Sequence, residues 1–175
     1  MVDRERLLDF AGRSRKPQIA LVREWGIRDY PCPAGGCLLT DGEIAARLRD
    51  LFTFVPDYEM ADLQLLKYGR HFRLGENLKV ILGRNGDENA MLECLADPEM
   101  QVFTSVAFRG PLALARGTCK GEDADRLIGG MIVRYSQDRL ERYRIQKQQK
   151  GGEARFFDVA GPLAVEDLEG YRISP

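Results

Sequence analysis

Apolar residues recur along this chain in two rhythms, and the change between them divides the sequence. From Ser14, which can cap, Pro17 opens a helical pattern with Ile19, Val22 and Trp25 on one side and a stop at Gly26. Arg15, Lys16 and Arg23 fall on its exposed side. After the loop RDYPCPAGGC, the stretch from Thr40 to Glu43 has capping-box spacing and predicts a second helix, with Ile44, Leu48, Leu51 and Phe52 on one face. At Pro56 and Asp57 the helical period gives way to alternation. A boundary there separates a helical appendage, 1–56, from a domain over 57–175.

Beyond that point the runs 63–74 and 78–82 alternate like strands, joined by Gly75-Glu76-Asn77 in a short hairpin turn. A helix over about 87–96 follows, with Met91, Leu92 and Leu95 facing in. The runs 101–108 and 112–116 predict a second hairpin across Arg109-Gly110-Pro111. A longer helix from Asp123 to about Arg139 buries Leu127, Ile128, Met131, Ile132 and Tyr135. Gly129-Gly130 inside it costs about 1 kcal/mol per glycine relative to alanine, which points to close packing of helix on sheet. The runs 143–147 and 154–159 alternate again, turned by Gly151-Gly152. The order ββαββαββ predicts an α+β fold with a mainly antiparallel sheet and helices on one face.

A chain of 175 residues accommodates one ordinary domain plus a short appendage. Charged residues interrupt every apolar run before the roughly 18 residues that cross a bilayer, so no membrane contact is expected. The charged N-terminus has no apolar secretion segment, and the chain reads as cytoplasmic. A net charge of −1 excludes a generally basic nucleic-acid binder. Any RNA contact must be a local patch. There is no Walker phosphate loop, dinucleotide glycine fingerprint or nucleophile elbow. We therefore expect no cofactor in this chain and no catalysis by it alone.

The chemistry-bearing residues fall into few groups. Pro31-Cys32-Pro33-Ala34-Gly35-Gly36-Cys37 places two thiols before a helix N-terminus, where a thiolate is stabilised and a persulfide or disulfide could be exchanged. Both cysteines can equally be small buried residues. A single histidine and the absence of a CxxC pair speak against a metal site. The hairpin carries Lys67, Arg70, His71 and Arg73, with Lys79 and Arg84 beyond its turn and Tyr68 and Phe72 interleaved. Cations for phosphates beside aromatic faces for bases suit RNA. The alternative is a solvated face with the aromatics turned to the core and His71 structural. Arg134, Arg139, Arg142, Arg144, Lys147 and Lys150 either extend the patch or are solvated surface. The amides of Gly83 to Asp87, opening a helix, could bind an anion.

These residues resemble a known family. Gly12 to Asp41, GRSRKPQIALVREWGIRDYPCPAGGCLLTD, is similar to the segment that follows the catalytic domain in bacterial PP-loop ATPases of the tRNA thiouridylase-like type. LLKYGRHFRL, VILGRNGDEN and the closing RYSQDR resemble the NFACT RNA-binding domain attached to those enzymes. The resemblance implies a tRNA-binding accessory region that positions RNA for sulfur transfer by a PP-loop ATPase domain. ATP would be used there, because the adenylating signature SGGxDS is absent from this chain. It also implies that Cys37, with Cys32 as partner, handles sulfur. One departure stands out: a Trp-Phe-His stretch of related NFACT domains is replaced by Val102-Phe103-Thr104-Ser105-Val106. Arg70, His71, Arg73, Arg84 and Arg109, with Lys67, are then the expected RNA contacts. The competing readings are a protein-interaction or dimerisation module with structural cysteines, and a sulfur-transfer role for Cys32 and Cys37 without RNA.

Overall fold

The computed structural model describes residues 8, 10, 14–27, 38, 41–117 and 122–175. The loop bearing Cys32 and Cys37, and Cys119, lie outside the described residues. Contacts divide the chain into two compact units, Met1–Cys37 and Leu38–Pro175. In the first, helix α1 (Lys16–Glu24) carries a proline in its opening turn and buries none of its side chains. Gly26 follows at φ +66°, the left-handed conformation that ends helices.

The second unit orders its elements as α2 (Gly42–Phe54), α3 (Met60–Leu65), β1 (Arg70–Arg73), β2 (Leu78–Leu82), α4 (Gly86–Leu95), β3 (Gln101–Val106), β4 (Ala113–Gly117), α5 (Glu122–Arg134), β5 (Tyr143–Gln149), β6 (Arg155–Val159) and α6 (Val165–Tyr171). The strands form one antiparallel sheet in the order β1-β2-β4-β3-β5-β6. This is an α+β fold, with the ββαββαββ order that alternation predicts. The stretch 63–69 departs from expectation. Glu59 and Asp62 form a reciprocal capping box that starts α3, and Gly69 at φ +73° delays the strand to Arg70.

Helices cover both faces of the sheet rather than one. On the first face α5 and α6 bring Ile128, Met131, Ile132 and Leu168 onto Phe72, Val80, Leu82, Phe103, Ala113 and Ile145. Gly129 permits this contact, since a Cβ there would meet Val159 Cγ2 at 2.5 Å. On the second face α3 and α4 set Leu65 and Leu92 against Ile81 and Leu114. α2 joins this second layer. Its Arg47 donates to the carbonyl of Leu66 at 2.8 Å, and its Asp50 pairs with Arg73 and Lys79. The division expected at 56/57 therefore falls inside the compact unit. Helical period separates α2 from the strands in sequence, but buried ion pairs tie it to them in space. The C-terminal segment, which alternation did not reach, donates from Ile173 N to the carbonyl of His71 at 3.0 Å and so guards part of the β1 edge.

Candidate nucleic-acid interface

On β1 the side chains alternate, so Arg70 and Phe72 share the first face while His71 and Arg73 share the second. The basic hairpin is thereby split. His71 is 2% exposed; its Nε2 lies 2.8 Å from the Tyr68 carbonyl, and its Nδ1 has no partner among the described residues. A carbonyl only accepts, so Nε2 carries the proton. Burial, then the charges of Lys79 and Arg47, hold this imidazole well below its ordinary pKa. Arg73 and Lys79 converge on Asp50, with Arg73 bidentate at 2.8 and 2.7 Å and Lys79 at 2.9 Å. Phe72 is fully buried. His71 is thus no RNA contact, and Arg73 is committed to an internal ion pair; both lie on a face that α2 covers.

As the chain's sole histidine, His71 gives an unambiguous NMR signal. We expect its ring proton shift to stay flat as pH is lowered through about 6.5, the ordinary value. The unfolded chain binds a proton there and the folded one does not, so stability should decline as pH falls below about 6.5. A titration centred near 6.5 would contradict the burial.

Arg70, by contrast, meets Arg84 and Arg109 at one end of the sheet. They line a cleft of about 390 Å³ with Gly83, Asn85, Asn89, Tyr135 and Gln137. The guanidiniums of Arg70 and Arg84 are each oriented by a neighbour. Arg70 stacks on the Tyr135 ring at 4.4 Å. Arg84 donates from Nε to Glu88 at 3.1 Å and from Nη2 to the Lys67 carbonyl at 3.4 Å. Arg109 sits on a turn clamped through its backbone: its N donates to Asp138 at 2.7 Å and its carbonyl accepts from Ser136 Oγ at 2.9 Å. Its side chain remains 83% exposed. Gly110 lets the turn close, because a Cβ there would meet Ile132 Cγ2 at 3.0 Å. Lys67 is exposed and contributes its carbonyl to orient Arg84.

The cleft also borders the start of α4, where Asn85 caps by accepting from Glu88 N at 2.9 Å. Burial pushes the Glu88 carboxyl up, but the amides of Arg84 and Gly69 and the Arg84 guanidinium outweigh it and hold the group below its usual range. Glu88 therefore stays ionised and ties the start of β1 to the loop after β2. Three arginines outnumber the two carboxylates, Glu88 and Asp138, beside them. Converging guanidiniums, two of them held in place and one of these on an aromatic support, suit phosphates and stacked bases. Sequence reading missed Tyr135, taken as purely core-facing, and the clamp through Ser136 and Asp138. Of the third basic run, Arg134, Arg139 and Arg142 are exposed, whereas Lys147 pairs with Asp125 at 2.6 Å. Among the described residues no cluster could hold a metal ion, and no helix is long and apolar enough to cross a membrane.

Comparison with known proteins adds two findings. The family described as the NFACT protein RNA binding domain matches residues 69–172, which span every strand and the arginine cleft. The solved C-terminal part of a fibronectin/fibrinogen-binding protein from Streptococcus suis has a similar fold, with a TM-score of 0.50, 10% identity, and 73% of this chain and 68% of that one covered. At that identity the likeness concerns fold alone. A search of curated proteins finds no match.

Proposed function

The chain belongs to the NFACT RNA-binding domain family, and on that premise we propose that it binds RNA through the cleft of Arg70, Arg84 and Arg109. The observation that carries this reading is the convergence of three arginines from separate elements of a chain whose net charge is −1. Overall attraction cannot hold RNA here, so the local cluster must. The arginines would grip backbone phosphates, and the Arg70–Tyr135 stack offers a flat surface beside them.

We propose further that the RNA is a tRNA and that the chain serves a PP-loop ATPase that thiolates it, with Cys32 and Cys37 handling sulfur. The resemblance of Gly12 to Asp41 supports that finer reading. ATP would then belong to the partner domain.

Titration with a tRNA transcript at two salt concentrations tests the interface. Binding should weaken as salt rises, and Arg109→Gln should lower the slope of log affinity against log salt by about one, as expected for one lost phosphate contact. The turn holds Arg109 through its backbone, so the substitution leaves the clamp in place. Absence of binding at low salt would remove the RNA reading. A second reading, a protein-interaction module, draws on the exposed Phe52, Tyr58 and Met60, with the Phe52 and Tyr58 rings 5.0 Å apart.

A further inference from the structure

The second face of the sheet is covered over β1, β2 and β4 by α2, α3 and α4, but its other half, on β3, β5 and β6, presents half-buried and exposed side chains. We infer that this open half is a second RNA surface, one that takes unpaired bases rather than phosphates. The inference rests on the RNA reading of the arginine cleft.

Register builds the surface. Thr104, Gln146 and Phe156 are consecutive cross-strand partners and so form one row across three strands on one face. Val106, Arg144 and Asp158 form the next row, and Val102 and Gln148 the one on the other side. Phe156 is 50% exposed, and the Arg144 guanidinium lies over its ring at 5.5 Å. Gln146 donates to Gln148 at 3.2 Å. Between this row and the end of α4 runs a cleft of about 370 Å³, lined among others by Glu93, Thr104, Gln146 and Gln148.

An aromatic ring supplies a stacking face that every base can use. Carboxamides and a hydroxyl beside it each offer donors and acceptors, the complement of a base edge freed from pairing. A peptide or a second protein copy would gain more from an apolar face than from a surface centred on two carboxamides and a hydroxyl. Charge on the surface is balanced, since Asp158 stands opposite Arg144 and both Glu93 and Lys150 line the cleft, so attraction of phosphates is not what the surface provides. The Val106–Arg144 row lies at the end of β3 from which the turn bearing Arg109 departs. A strand held by its phosphates at Arg109 can therefore pass over that end of the sheet and lay unpaired bases on Phe156.

The test uses the full chain, a short unpaired oligoribonucleotide of mixed sequence and a blunt-ended, fully paired RNA duplex. Phe156→Ala should weaken oligoribonucleotide binding by roughly tenfold with its salt slope unchanged, while duplex binding stays as it was. Gln146→Ala should weaken the oligoribonucleotide in the same sense. Phe156→Trp should keep binding, and its added fluorescence, read against the parent that contains Trp25, should be quenched by the oligoribonucleotide. An oligoribonucleotide that fails to bind, or binds Phe156→Ala unchanged without quenching Phe156→Trp, overturns the inference. So does a loss of self-association in Phe156→Ala, which would assign the surface to a second copy. If the duplex still binds through Arg109, only the base surface has failed; if the duplex does not bind either, the arginine cleft has failed with it.

Discussion

Replacing Asp50 with alanine should destabilise the protein by about 3–5 kcal/mol, the cost of stripping a buried ion pair of one partner. Asp50 is the meeting point of Arg73 and Lys79, and the side chains of Asp50 and Lys79 are 7% and 5% exposed. Without the carboxylate, the Lys79 ammonium stays buried beside the Arg73 and Arg47 guanidiniums with nothing to offset desolvation, which already lowers its pKa. A fall in Tm on the order of 10 °C is the expected reading. Adding Lys79→Met to Asp50→Ala should restore part of the loss, because the uncompensated charge is then gone. A drop under 1 kcal/mol in Asp50→Ala would show that α2 is not held this way.

The same network sets an acid limit. Burial pushes the Asp50 carboxyl up, but hydrogen bonds and charges from Arg73 and Lys79 hold it below its ordinary value. A group whose pKa is depressed by folding contributes its stability fully above the unfolded value, about 3.9 for aspartate, and loses it as pH falls through the folded value. The decline from His71 begins higher, below about 6.5. Asp50→Ala should therefore flatten the stability profile below about pH 4 and leave the decline between about 6.5 and 4 intact.

Changing Arg70, Arg84 and Arg109 together to glutamine should reduce RNA affinity by roughly 100- to 1000-fold at moderate salt. Each is expected to make one charge-assisted contact worth about 1–1.5 kcal/mol net, and about 1.4 kcal/mol is tenfold. The salt slope should shrink by roughly two to three units. Folding should survive, since Arg84 and Arg109 are exposed and Arg70 lies against the outer end of α5 through Tyr135. The matched control is Arg49, Arg126 and Arg155 changed to glutamine, which removes as much charge from exposed residues that line no part of the cleft. Equal losses in both variants would reduce the cleft to general surface charge; a loss confined to the first assigns the RNA to it.

Much of this architecture was legible in the chain. Alternation at 78–82, 101–108 and 143–147 placed strands, the 3.6-residue period at 123–135 placed α5, and Gly129-Gly130 announced its close approach to β6. These are local signals, because a strand or an amphipathic helix writes its period into the residues that compose it. The basic hairpin was legible as charge but not as a surface. Arg70, His71 and Arg73 are near neighbours in sequence, yet the two-residue period of a strand sends them to opposite faces, and this edge of the sheet is covered on both.

What the sequence determined by itself is the ββαββαββ order, without α3 and α6, the antiparallel class and the limit that any RNA contact be local. What only the tertiary structure decided is which cations are free. Asp50 lies 23 residues from Arg73 and 29 from Lys79, and takes both into the interior. Arg70, Arg84 and Arg109 come from three separate turns and strands, and meet because the sheet order β1-β2-β4-β3 brings those ends together. A charge reads the same in every sequence position. Whether it ends buried against a carboxylate or facing solvent depends on what packs over its strand, and that is settled by contacts between residues far apart in the chain.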